Sequence, residues 1–259
     1  MRDNQVKRSL RSGGVSVGSM VFEFSTPGMG RIASEAGADF LVFDMEHTGW
    51  SFETVRDLVA SARSSPVVPL IRVPATQYHF LARSMDIGAM GLMVPMVESA
   101  EQARLIVDST AYPPAGHRGA AFGIAHDDYT STDIIAKMQS ANDERLLIAQ
   151  VETAKGVENA DSIAAVDGID VLWIGHFDLT NSMGLPGQFD HPDYLKALEA
   201  VLEACRHHGK AAGFMASSIE EGQALIRRGF RCIAYWGDLW IYKQGLQRGI
   251  EAIKNTATS

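Results

Sequence analysis

Eight short runs of strand-forming residues punctuate this chain, and a longer stretch with helical patterning follows each. The runs occupy 15–24, 40–44, 67–73, 91–95, 146–152, 171–175, 211–215 and 232–236. Several are almost wholly apolar, FLVF and VLWIG among them. Such runs suit parallel strands covered on both faces, because a strand with one wet face alternates instead. Eight strand–helix pairs in 259 residues predict an α/β chain folded as a single (β/α)8 TIM barrel, one domain over 1–259. A doubly wound open sheet fits less well, since no glycine-rich phosphate loop follows the first strand.

The punctuation supports this reading. Thr26 before Pro27, Ser51 before Glu53 and Thr54, and His191 before Pro192 read as helix starts. Gly37, Gly88, Gly209 and Gly229 close helical runs, where a left-handed residue is wanted. One connection is long: AYPPAGHRGAAFGIAHDDYTS at 111–131, ahead of a short helical piece at 133–141. A loop of that length is usually functional, covering either the site or a subunit contact.

Charge and cysteine usage narrow the class. The net charge of -8 argues against nucleic acid or an anionic membrane as partner. It leaves room for an acidic small substrate held by a local arginine or metal. Cys205 and Cys232 lack metal-type spacing and read as reduced thiols. The segment MRDNQVKRSLRSGG is polar with no apolar core, so no signal peptide is expected, and no apolar run would span a bilayer. A cytoplasmic enzyme is predicted.

Barrel enzymes carry their chemistry at the C-terminal ends of the strands. Here the second strand ends in Asp44-Met45-Glu46-His47, the third at Arg72, and the fifth in Gln150-Val151-Glu152. The sixth runs into Gly175-His176-Phe177-Asp178, and the last two end in Phe214, Met215, Tyr235 and Trp236. Each polar residue has two readings. Glu152 and Asp178 either cap helices or share a divalent cation, which two like charges on adjacent strands favour. His47 is either a packing histidine or an acid–base group, and Asp44 and Glu46 beside it either orient it or bond loop amides. Arg72 is either a structural ion pair or a two-pronged clamp for a carboxylate or a developing enolate. His176 is a pocket candidate. Asp86 sits at a helix end before the fourth strand, unfavourably for the helix dipole, and spacing alone gives it no catalytic role.

Six ordered blocks then carry a resemblance: FLVFDMEH at 40–47, LIRVP at 70–74, MDIGAMGLMVPMV at 85–97, YPPAGHRG at 112–119, QVETAKG at 150–156 and IGHFDLTNSMG at 174–184. Over nearly its whole length the chain resembles the class II, metal-dependent pyruvate aldolases of the HpcH/HpaI type. The resemblance implies Glu152 and Asp178 as ligands of Mg2+, Mn2+ or Co2+. It implies Gln150 and the backbone around Phe177 and Asp178 as contacts to a 2-keto acid, and Arg72 as stabiliser of the enolate. His47 would be the acid–base residue, with Asp86 raising its basicity. The resemblance also implies the family's usual assembly, a homohexamer of paired subunits with an exchanged C-terminal helix. Many relatives read Gly-Pro-Ala-Asp where this chain has Gly175-His176-Phe177-Asp178, and that added bulk bears on donor and acceptor preference. Glu23 and Phe24 face the site mouth with no role carried across, and Tyr235-Trp236-Gly237-Asp238 departs from the relatives in a way expected to reshape the pocket rim.

The implied reaction is retro-aldol cleavage of a 4-hydroxy-2-keto acid to pyruvate, or hydroxypyruvate, and an aldehyde, together with its reverse. A 2-keto acid decarboxylase and a CoA-ester lyase of the same superfamily are rivals, although CoA would need a basic cluster that the sequence lacks. A non-catalytic ligand-binding barrel would show broken site positions, whereas every matched position is filled. No lysine is suited to a Schiff base, which leaves metal as the expected electron sink.

Overall fold

The computed structural model describes residues 2–256; residues 1 and 257–259 of the expected domain lie outside the described residues. Eight parallel strands close a barrel in chain order: β1 (Ser16–Val21), β2 (Phe40–Asp44), β3 (Val68–Arg72), β4 (Gly91–Val94), β5 (Leu146–Val151), β6 (Val171–Ile174), β7 (Ala211–Ala216) and β8 (Cys232–Gly237). Helix α1 (Gln5–Arg11) precedes β1. The connections carry α2 (Met29–Glu35), α3 (Phe52–Ala62), α4 (Tyr78–Asp86), α5 (Ala100–Thr110) and α6 (Ile134–Glu144). Next come the short pair α7 (Ala154–Glu158) and α8 (Ala160–Ala164), then α9 (His176–Ser182), α10 (Pro192–His207), α11 (Ile219–Arg228) and α12 (Asp238–Thr256). This is the expected TIM barrel. Among the described residues no helix is long and apolar enough to cross a membrane.

The two-residue period of a strand sorts each one into an inner and an outer core. Phe40 and Val42, Val68 and Leu70, Leu146 and Ile148, and Val171 and Trp173 fill the barrel. Leu41, Phe43, Ile71, Leu147, Ala149, Leu172 and Ile174 pack outward against the helices. The inward series continue to Asp44, Arg72 and Gln150, so alternation alone delivers polar groups to the C-terminal mouth. Trp173 fits inside because Gly213, its register partner on the adjacent β7, has no side chain; a Cβ there would collide with the indole. Cys205 and Cys232 are buried and free, and burial pushes both thiols up to about 12.

Helix α1 stands where the sequence reads as merely polar. Its buried face is short, Val6 and Leu10, and it closes the N-terminal mouth. Lys7 is buried with it, paired to Asp170 at 3.1 Å. The first strand stops at Val21 rather than at residue 24, because the amides of Phe22, Glu23 and Phe24 donate to the Asp238 carboxylate instead of to a ladder. The second helix starts at Met29, not at Pro27. Thr26 takes the Met29 amide in a turn, and Gly28 is an N-cap without a side-chain bond. Ser51 and His191 do cap α3 and α10. Gly37, Gly88, Gly209 and Gly229 all have positive φ. The long 111–131 connection contributes no residue to the cavity described below; it packs beside α4, with the Gly119 amide donating to the Tyr78 hydroxyl.

Candidate active site

A cavity of about 770 Å3 opens at the C-terminal mouth. Its walls include Phe22, Glu23, His47, Arg72, Gln150, Gly175, His176, Phe177, Asp178, Met215 and Trp240. The register explains the convergence. Asp44 lies opposite Arg72 across β2 and β3, and Gln150 lies opposite Trp173 across β5 and β6.

Arg72 is held from two sides. Its Nε donates to Asp44 Oδ1 at 2.6 Å, and its Nη1 is 3.2 Å from Glu46 Oε2. Asp44 is fully buried and also accepts the backbone amides of Glu46 and His47, both at 3.1 Å. Of the two roles the sequence offered Asp44, it takes the loop amides and not the His47 ring, and it orients Arg72 as well. The His47 ring is open to the cavity, with Nε2 3.8 Å from Glu46 Oε2.

Glu152 is 1% exposed and has no cation partner among the described residues. Its Oε1 accepts the Met96 amide at 2.7 Å, and its Oε2 accepts the Gln150 side-chain amide. Met96 reaches this position with φ 54, a conformation costly for a non-glycine residue and concentrated at functional sites. Gly175 leaves the space: a Cβ there would come within 2.7 Å of the Glu152 Cβ and closer still to its carboxylate. Burial pushes the Glu152 carboxyl up to about 7, and Glu46 and Asp178 push the same way. Burial likewise takes Glu46 to about 7, against the pull of Arg72. The Gln150 side-chain oxygen Oε1 is buried without a partner among the described residues. Buried oxygen donors gathered without a neutralising cation suit a hard divalent ion.

Asp178 and Phe177 open α9, whose first-turn amides have no partner within the helix. The His176 ring stacks on Phe214 at 4.9 Å and lies 4.5 Å from Phe177, and burial lowers its pKa. Position 176 is the first residue of α9, where proline is tolerated. Replacing His176 with Pro and Phe177 with Ala together is expected to change which aldehydes are accepted while metal affinity stays close to wild type. An acceptor screen with parallel metal titration checks this; an unchanged profile would place both side chains away from the substrate.

Asp86 does not join the site within this chain. It closes α4, where the chain returns to the N-terminal end of β4, and its carboxylate takes Arg118 Nη2 at 2.6 Å. Sequence reading missed Met96 and Gly175 as site builders, and placed Asp238 at the pocket rim without the amides it serves. A glycine between strand and helix was the one available signal.

A closed parallel barrel with carboxylates, an arginine and a histidine converging at its C-terminal mouth is built as barrel enzymes are built. The chain belongs to the HpcH/HpaI aldolase/citrate lyase family, whose model matches residues 19–239. It is 36% identical over 255 residues to a 2-keto-3-deoxy-L-rhamnonate aldolase of Klebsiella pneumoniae subsp. pneumoniae, covering 97% of this chain and 94% of that protein. The crystal structure of an HpcH/HpaI aldolase from Desulfitobacterium hafniense superposes with a TM-score of 0.91 at 34% identity, covering 96% of each chain. A family member from Burkholderia cenocepacia also gives 0.91, at 29% identity, covering 97% of this chain and 99% of that one.

Proposed function

We propose that this chain is a class II pyruvate aldolase, one barrel domain over 1–259, acting in a reducing compartment on 2-keto-3-deoxy acids like those its relatives are named for. It cleaves a 4-hydroxy-2-keto acid to pyruvate, or hydroxypyruvate, and an aldehyde. The observation that carries the reading is the buried Glu152, which has no cation partner among the described residues, in a barrel mouth whose lining arginine is already locked in place by two other carboxylates. Glu152 and Asp178 would hold Mg2+, Mn2+ or Co2+, which when bound supplies a Lewis acid for the keto acid.

The chain's own groups do the rest. Gln150, with the backbone around Phe177 and Asp178, orients the keto acid. Arg72 Nη2 has no partner among the described residues and is free to donate to the C2 oxygen as charge develops there. His47 takes the 4-hydroxyl proton. The C3–C4 electron pair then becomes the enolate double bond, C4 leaves as the aldehyde, and C3 is finally protonated to give pyruvate. His47→Ala is expected to lose about 10²–10⁴-fold in aldol turnover, the usual worth of a general base. Steady-state assay of pyruvate release from a 4-hydroxy-2-keto acid tests both points. Near-wild-type turnover in the variant would remove His47 from the mechanism, and no release by the wild type would end the aldolase reading.

The exposed cluster of Asp161, His207 and His208 brings three ligand atoms within 4.8 Å, but none of the three lines the cavity. We assign the reaction's metal to Glu152 and Asp178, because Asp178 lines the cavity and Glu152 accepts a hydrogen bond from Gln150, which lines it too. Arg72 is the one cationic side chain among the described residues lining the cavity, which leaves no phosphate groove for CoA.

Oligomerisation is the reading that α12 supports. Beyond Tyr242, which packs on Phe24, it carries Leu246, Ile250 and Ile253 exposed at three- and four-residue spacing. Beside its root an apolar groove of about 590 Å3 over β1 and α2 includes Val17, Ile32 and Leu41. An exchanged α12 between subunits, in a hexamer of paired chains, satisfies both faces. Asp86 can raise the basicity of His47 only across such a contact. Truncation after Trp240 is expected to lower the assembly state, as read by light scattering; an unchanged mass would remove α12 from the interface.

A further inference from the structure

Glu23 is a carboxylate in the wall of the cavity whose side chain has no partner among the described residues. It is nevertheless firmly placed. The Asp238 carboxylate accepts the amides of Phe22, Glu23 and Phe24 at 2.9, 3.0 and 2.7 Å. Phe22 packs edge-on to Trp240 at 5.0 Å, and Phe24 packs edge-on to Tyr242 at 5.5 Å. A charged group on a pinned segment imposes a fixed field on whatever enters. At that wall the field is negative. Glu23 and Asp178 line the cavity, and the guanidinium of Arg72 is already shared by Asp44 and Glu46.

We propose that Glu23 selects the acceptor aldehyde, accepting hydrogen bonds from hydroxyl or ammonium groups beyond the carbonyl and repelling aldehydes that carry a second, anionic group. This rests on the aldolase reading above. Hydroxylated acceptors present donors to an acceptor-only carboxylate, whereas a terminal carboxylate presents like charge at the same wall.

Three aldehydes offered with pyruvate test it: glyceraldehyde, propanal and succinic semialdehyde. The wild type should rank them in that order by kcat/KM. Glu23→Gln keeps a hydrogen-bonding group but removes the charge, and should shrink the preference for glyceraldehyde over succinic semialdehyde about 10-fold, the size of one screened charge contact. Glu23→Lys should reverse that preference. Glu23→Ala should also pull glyceraldehyde down toward propanal. Ratios that stay within about twofold of wild type in both charge variants would overturn the proposal and leave the aldolase reading standing. A wild type that joins pyruvate to none of the three would take down both.

Discussion

An Arg72→Lys variant is expected to lose on the order of 10²-fold or more in aldol turnover, although the charge is conserved. The reason is geometric. Arg72 uses Nε for Asp44 at 2.6 Å and Nη1 for Glu46 at 3.2 Å, which aims Nη2 at the cavity. A lysine has a single ammonium at the end of a flexible stem. If it satisfies buried Asp44 it leaves the substrate, and if it faces the substrate it strands Asp44, which is 0% exposed. The fold should feel the change too. Arg72→Ala, which removes the partner outright, should cost about 3–5 kcal/mol, the usual penalty for an uncompensated buried charge. Steady-state kinetics and urea melts separate the two effects. Equal turnover with lysine would reduce Arg72 to a structural ion pair.

This case shows which parts of the site can be read from sequence. Asp44, Arg72 and Gln150 were legible because each continues an inward-facing apolar series, Phe40 and Val42, Val68 and Leu70, or Leu146 and Ile148. Period two and the rule for barrel mouths are local information. Met96 was not legible, since nothing in Val-Pro-Met-Val announces a methionine with φ 54 whose amide is aimed at Glu152. The contacts of Asp238 were hidden for another reason. Its role is to serve amides more than two hundred residues away, and closure of the barrel between β8 and β1 creates that contact. Helix α1 was missed because two apolar residues make too weak a stripe. Asp86 was assigned to His47 through resemblance, and the chain places it at the other end of a helix.

Exhaustive chelation is expected to abolish activity, and Mg2+, Mn2+ or Co2+ to restore it, because the lysines offer no other electron sink. No lysine lines the cavity. Lys7 is buried, but at the N-terminal mouth against Asp170, and Lys137 is spent on Asp127 at 2.5 Å. Lys155, the one nearest the right mouth by sequence, is exposed and pairs with Glu98 at 3.1 Å. A Schiff-base lysine must be desolvated beside the substrate, and none is. The pH dependence gives the prediction a second edge. Glu46 and Glu152 sit at about 7 when folded against 4.5 ordinarily, so between those values the metal-free fold binds more protons than the unfolded chain. Its stability should therefore fall as pH rises through that window, and metal affinity should rise over the same window as protons cease to compete. Melts with and without Mn2+ should diverge with increasing pH. Borohydride with pyruvate should leave the protein mass unchanged. Full activity after chelation, melts that stay parallel across the window, or a reduced pyruvyl adduct on any lysine would overturn the assignment of Glu152 and Asp178.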